Sequence, residues 1–219
     1  MRSEFVEKFN HDDDAVEYDN DVLNEIDPIR TGYNALLDWV AMQASAAPDR
    51  TILDLGAGTG NLTKRLHDYN KIVCVDVSEQ MTSIGKVKLP DSENIEWVQA
   101  DLLEYFDQPV GAFDAIVSTY AIHHLTKFEK EALFKYSYES LNTKGIAVFG
   151  DLMFENAVER ERILDEYRNN DQGELADDIE DEFFWDIEHA VGALSKTGFR
   201  NIKPQRFSGL SWGIVCNKS

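Results

Sequence analysis

TILDLGAGTG, residues 51–60, joins a short apolar run to three glycines at every second position. Ile52–Leu55 is brief and rich in branched side chains, the signature of a strand buried on both faces. Gly56, Gly58 and Gly60 let the chain turn sharply with positive φ and let a ligand approach the backbone. The next segment, Asn61–Asp68 (NLTKRLHD), reads as a helix whose first amides point back at the turn. Strand, glycine turn and helix form a nucleotide-binding corner.

The spacing narrows the choice of nucleotide. A dinucleotide fingerprint is G-x-G-x-x-G, with its third glycine one position later than here. Asp54 also stands two residues before the first glycine. A carboxylate there repels a pyrophosphate and attracts a cationic amine. S-adenosylmethionine carries an amino group, a sulfonium and no phosphate, so it suits an acidic corner better.

Three further strands repeat the arrangement. Lys71–Asp76 (KIVCVD) ends in an acid about twenty residues beyond the glycines, where a carboxylate can accept hydrogen bonds from ribose hydroxyls. Asp76 could otherwise cap the following turn, VSEQM. Ile95–Ala100 leads into Asp101 and Leu102; there an acid can accept from an adenine amino group while the leucine covers the ring. That aspartate could equally be a strand-end cap. Phe113–Ser118 (FDAIVS) runs into Thr119–Leu125, which contains His123 and His124. Ligands of a doubly wound sheet lie beyond the carboxyl ends of its strands, and all four motifs fall at such ends. Ile146–Asp151 reads as a fifth strand. Phe199–Phe207 and Ser211–Asn217, with Gly209 between them, read as a closing antiparallel hairpin. That ending separates the chain from an all-parallel dinucleotide domain.

With these motifs, the chain resembles class I S-adenosylmethionine-dependent methyltransferases, and within them it is similar to the bacterial YrrT-like group. GTGNLTKRL, VSTYAIHHLT, KYSYESLNTKG and VFGDLMFEN carry the likeness, in that order along nearly the whole chain. The group often has Glu where this chain has Asp54 and Asp76, a change that keeps the charge. The resemblance implies an α/β, three-layer Rossmann-like fold, its seven-stranded sheet ordered 3-2-1-4-5-7-6 with the last strand antiparallel. It implies S-adenosyl-L-methionine as methyl donor, with Gly56, Asp76 and Asp101 carried over as contacts. Asp54, Gly58, Val77 and Met81 join the expected cofactor set, as do Leu102, Ser118 and Tyr18. No acceptor follows from it.

Composition bounds the rest. At 219 residues and 43% hydrophobic content, one domain able to bury roughly 70% of its unfolded surface is expected. No stretch near eighteen apolar residues appears, nor a basic, apolar, small-residue start, so no membrane span and a cytoplasmic location are expected. Cys74 and Cys216 fall inside predicted strands without zinc-site spacing. Asp12, Asp13 and Asp14 lack the glycine and spaced ligands of a calcium loop. No metal is therefore expected.

The net charge of −20 is concentrated. Residues 1–27 hold ten acids and two bases, and residues 155–188 hold fourteen acids and three bases. The first segment precedes a helix expected over Asp27–Ala46, with Tyr33, Leu36, Leu37 and Val40 at helical spacing. The second reads as two helices, Asn156–Asn169 and Glu174–Asp186, ahead of a core helix near Ile187–Lys196. An arm over residues 1–46 and an insertion over 155–188 are expected to form a lid over the acceptor pocket. Such an entrance repels phosphate backbones and favours a neutral or cationic small molecule, with no nucleic acid as partner. The plain alternative is that acidic surface helices serve solubility alone.

Methyl transfer needs mainly positioning and exclusion of water. A base is needed only where the acceptor holds a proton at neutral pH. His123 and His124 are the candidates, because they follow strand four and histidine titrates near neutrality. Adjacent histidines at a helix start could instead cap it or pack against the sheet. Of the two, His123 is taken as the base and His124 as structural. Tyr18 could close over the methionine part of the cofactor or simply pack the arm, and Tyr120, Phe154 and Trp185 could line the acceptor pocket or equally belong to the core. The function expected is methyl transfer to a small molecule; the alternative is a catalytically silent cofactor-binding protein. The oligomeric state is not legible in the sequence.

Overall fold

Alternation along the first strand sets the two faces of the sheet. In a computed structural model, which describes residues 1–90 and 93–219, β1 is Arg50–Leu55. Ile52 and Asp54 point to one side and Leu53 and Leu55 to the other, as the two-residue period of a strand demands. Ile52 joins a core with Ile72, Cys74, Val117 and Val148. Leu53 and Leu55 join a second core with Val75, Ile116 and Phe149. Both faces are thus apolar, so both need a helical cover.

The strands are β1, β2 (Tyr69–Asp76), β3 (Ile95–Gln99), β4 (Phe113–Thr119), β5 (Leu141–Phe154), β6 (Arg200–Arg206) and β7 (Ser211–Asn217). Their order in space is 3-2-1-4-5-7-6, as expected. The first five run parallel, and β7 pairs antiparallel with β5 and β6. A two-residue strand, Trp185–Asp186, pairs with Met153 and Phe154 at the far end of β5.

The helices are α1 (Ala15–Asp21), α2 (Tyr33–Ala44), α3 (Glu79–Lys88), α4 (Lys127–Ser140), α5 (Ala157–Asn169), α6 (Gly173–Asp181) and α7 (Ile187–Thr197). Leu36, Leu37 and Val40 of α2 cover the Ile52 face, together with Ile163 of α5 and Ile179 of α6. Leu133 and Phe134 of α4 cover the Leu53 face, together with Ala190 and Leu194 of α7. α4 begins with a capping box in which Thr126 and Glu129 satisfy each other's backbone amides. This joins a helix N-terminus firmly to the end of β4. Among the described residues, no helix is long and apolar enough to cross a membrane.

Three expectations need correction. Asn61–Asp68 is not an α-helix; it holds only a 3-10 turn at Thr63–Arg65, after which Leu66 is extended (ψ 142°). The six residues of β1 advance about 20 Å, and eight helical residues would return only about 12 Å. The chain must therefore stretch to reach β2, and residues 61–68 present no α-helix N-terminus to the glycines. α2 starts at Tyr33 rather than Asp27, because Asp27 instead closes a turn by accepting the Ile29 amide at 2.9 Å. The second helix of the acidic insertion stops at Asp181, short of Asp186. Beyond it the Phe183 amide donates to the His123 carbonyl at 3.0 Å, and Trp185–Asp186 pair with β5.

Candidate active site

A cavity opens at the carboxyl edge of the sheet, bounded by the ends of β1, β2 and β4, by residues 101–102 after β3, and by the amino-terminal arm. Its two ends are built differently.

At the β1–β2 end the wall is backbone. The amides of Gly56 and Ala57 donate to the Val75 carbonyl at 2.8 and 3.0 Å, which draws the turn across the tip of β2. Gly56 has φ +72°, and a Cβ there would stand 2.4 Å from the Cβ of Ala121, so no other residue fits. Gly58 has φ +55°, and the space where its Cβ would stand is open. That turn presents bare main chain to the cavity.

Asp76 accepts from the Gly58 amide at 2.7 Å and the Ser78 amide at 2.9 Å, one bond on each oxygen. Each oxygen keeps lone-pair capacity for a further donor. Burial raises its carboxyl pKa, against the pull of these amides. Val77, Met81, Asp101 and Leu102 complete this end. Asp101 accepts from the amides of Leu103 and Glu104 at 3.0 and 3.1 Å, so it does cap the turn after β3. It also accepts from the hydroxyl and amide of Ser3, at 2.5 and 3.1 Å. The arm thus occupies the side of Asp101 expected to face an adenine.

Asp54 and Ser118 do not reach the cavity wall, and the expectation of direct contact is not met for them. Asp54 is fully buried behind the turn, accepts from the Thr63 hydroxyl at 2.7 Å, and has its other oxygen unpartnered. Burial lifts its carboxyl to about 7. Ser118 donates to the Leu55 carbonyl at 2.7 Å. Both hold β1 and its turn in shape.

At the β4 end the wall is side chain. Tyr120 takes φ +51°, turning the chain into a 3-10 turn at Ile122–His124. Asp151, buried on β5, accepts both the His123 amide at 3.0 Å and the His123 Nδ1 proton at 2.5 Å. This fixes the ring and leaves Nε2 as the free nitrogen, 3.6 Å from the Glu182 carboxylate. Burial raises the Glu182 pKa, against the pull of His123. His124 stacks on Phe9 (centroids 4.3 Å) and lies 3.4 Å from His11, ring nitrogen to ring nitrogen. Burial and the neighbouring His123 hold His124 well below the usual histidine range, which suits the structural part expected of it.

The arm runs across this end. Its Glu4 amide donates to Glu129 at 2.6 Å, and its Asp12 accepts from the Ser78 hydroxyl at 2.5 Å and the Gln80 amide at 3.1 Å. Tyr18 lines the cavity, as does Tyr120. Phe154 and Trp185 are instead core residues, packed on Phe184 and Phe134 respectively. The acidic insertion contributes Glu182 alone to the lining.

His11, Arg30, Asp151 and Glu182 were not singled out as site residues by sequence reasoning. Asp151 was legible, since it closes a strand at the ligand edge. The other three lie on the arm, the approach to α2 and the insertion, where no strand end marks them.

Ligand-capable atoms of His123, His124 and Glu182 lie within 4.8 Å of one another. Asp151 and Glu182 flanking the ring of His123 account for that spacing through hydrogen bonding and charge. At the other end, the bare turn at Gly58, the spare acceptor capacity of Asp76 and the apolar Val77, Met81 and Leu102 suit a nucleoside with ribose hydroxyls.

Comparisons with known proteins place this cavity in context. A family model described as a methyltransferase domain matches residues 52–145. An uncharacterized methyltransferase of Oceanobacillus iheyensis is 33% identical over 222 residues, covering 100% of this chain and 99% of that protein. Bacillus subtilis YrrT, also described as an uncharacterized methyltransferase, is 33% identical and covers 91% of each chain. Among solved structures, the N-methyltransferase NodS of Bradyrhizobium japonicum, in complex with S-adenosylhomocysteine, superposes with a TM-score of 0.67. That match covers 95% of this chain and 98% of NodS at 15% identity. At that identity the likeness is one of fold.

Proposed function

This chain belongs to the methyltransferase family that includes YrrT, and from that premise we propose that it moves the methyl group of S-adenosylmethionine to a small-molecule acceptor. The cofactor lies at the glycine end of the cavity. Asp76 receives ribose hydroxyls, Leu102 covers the adenine, whose amino group takes the place of Ser3 on Asp101, and Gly56 and Gly58 let the ligand reach main chain. Bound there, the cofactor supplies an electrophilic methyl group on a sulfonium.

The acceptor lies toward His123. Asp151 holds the Nδ1 proton, so Nε2 is free to take a proton from an acceptor amine, thiol or hydroxyl as the new bond forms. Asp151 acts through the histidine, as a positioning residue. The His123–Asp151 pair opposite the glycine turn is the observation that carries this reading. A cavity roofed by the arm favours a small molecule over a macromolecule. We propose that the arm and the 155–188 insertion together form the pocket's lid.

The test is production of S-adenosylhomocysteine against a panel of amines, phenols, thiols and carboxylates. Turnover with at least one class, lost in His123→Ala, is expected. A donor that binds with no turnover across the panel would overturn the small-molecule assignment.

A further inference from the structure

Arg30 sits on the approach to α2, in a chain whose acids outnumber its bases by 41 to 21. Eight of the nine arginines give their guanidinium to a carboxylate or carbonyl: Arg65 to Asp38, for example, Arg162 to Glu159, and Arg50 to the Ala44 carbonyl. Arg30 gives its guanidinium to none among the described residues. It lies half-buried in the cavity wall, its guanidinium carbon 5.8 Å from the Tyr18 ring centroid. Its charge is felt by Tyr18, Tyr33, Tyr120, His124 and Glu182, side chains from the arm, α2, the β4 end and the acidic insertion. All five line the cavity with it.

A half-buried guanidinium with five N–H donors and no protein acceptor among the described residues is free to take the oxygens of a ligand. Its planar fork matches a carboxylate, which it can hold through two parallel bonds. A carboxylate also needs a local cation if it is to enter a pocket flanked by acidic segments.

We propose that Arg30 anchors a carboxylate brought into the pocket by a ligand. Two ligands can carry one: the methionine end of the methyl donor, or the acceptor. The inference rests on the reading of this cavity as the methyl-transfer site, and binding of S-adenosylhomocysteine to the unaltered protein tests that reading by itself.

The experiment is titration calorimetry on the full chain and on Arg30→Met and Arg30→Lys. In the first arm the probes are S-adenosylhomocysteine and its decarboxylated analogue. If the donor's carboxylate sits on Arg30, the unaltered protein prefers S-adenosylhomocysteine by ten-fold or more. Arg30→Met then loses that preference and leaves the analogue's affinity unchanged, while Arg30→Lys restores part of it.

In the second arm the protein is saturated with S-adenosylhomocysteine and titrated with small carboxylates and their amides. If the acceptor's carboxylate is the partner, carboxylates bind at least ten-fold better than amides, and Arg30→Met removes the difference. Should Arg30→Met fail to fold, Arg30→Lys and the paired ligands on the unaltered protein still decide. Equal affinity for both members of both pairs on a protein that binds S-adenosylhomocysteine would overturn the inference.

Discussion

The glycine end and the histidine end of the cavity face each other yet are encoded in opposite ways. The glycine end is made of strand tips and main-chain amides: Gly56 and Ala57 on Val75, Gly58 on Asp76, Ser78 on Asp76. Its parts fall within short segments that each announce themselves by an apolar run ending in Gly or Asp. The histidine end is assembled from His11, Arg30, His123, Asp151 and Glu182, which converge from five separate stretches of chain. An end built from backbone is tied to the fold. One built from distant side chains can change its chemistry while the sheet stays intact, which is how one fold serves many acceptors.

The largest effect is expected at the histidine end. His123→Ala should lower turnover by about 10²–10⁴ while leaving S-adenosylhomocysteine affinity within about two-fold, since none of the donor contacts proposed above is made by His123. Full turnover in that variant, with an acceptor that must lose a proton, would remove the base from the scheme. A matching loss of donor affinity would erase the division into two ends.

Next comes a stability effect confined to the frame of the glycine end. Burial holds the Asp54 carboxyl at about 7, above its ordinary 3.8. The folded chain then binds this proton more tightly than the unfolded chain does. The stability this group contributes is complete below about pH 4 and is lost as pH rises through about 7. The whole span corresponds to at most about 4 kcal/mol. Denaturant midpoints of the unaltered protein should therefore fall between pH 5 and pH 8 relative to those of Asp54→Asn. Parallel curves for the two proteins would show that Asp54 is ionised in the fold.

Asp76→Ala should weaken the donor by ten-fold or more, in line with charge-assisted bonds of about 1.5–3 kcal/mol each. Calorimetry with S-adenosylhomocysteine reads this directly, and an unchanged affinity would take Asp76 out of the donor site. The variant also frees the Gly58 amide, so Asp76→Asn, which keeps an acceptor oxygen there, separates the ligand's loss from the turn's.

The same contrast explains what the sequence made legible. Strand tips at Leu55, Asp76 and Ser118 could be read because burial on both faces leaves an unbroken apolar run, and the ligand edge of such a sheet follows from topology. Asp54 was placed on the correct strand but not on the correct side of it. Its side chain follows Ile52 to the face that packs on Thr63 and Cys74, away from the cavity. The helix expected at Asn61–Asp68 was lost to the distance the chain must cover, a constraint that propensity does not contain. The arm was harder still. Ser3 on Asp101, Phe9 on His124 and Asp12 on Ser78 link residues 66 to 115 positions apart, and no local pattern predicts such pairs.

The smallest effect concerns how far charge on the two acidic segments reaches into the cavity. Residues 1–27 and 155–188 carry net charges of −8 and −11, yet much of that charge faces outward. Arg162 pairs with Glu159 and Glu166, and Arg168 with Glu180, on exposed surface. Such pairs contribute little and weaken in salt. At physiological ionic strength the field decays within about 8 Å, whereas a bound ligand meets Arg30 and Glu182 at contact. Electrostatic steering at the rim therefore changes arrival, and the groups within decide retention. For a cationic acceptor, KM should rise by about two- to three-fold as salt goes from about 0.05 to 0.5 M, with kcat unchanged and no response for a neutral acceptor. A KM indifferent to salt for a cationic acceptor would assign the acidic segments to solubility, and the choice of acceptor to the groups inside the cavity.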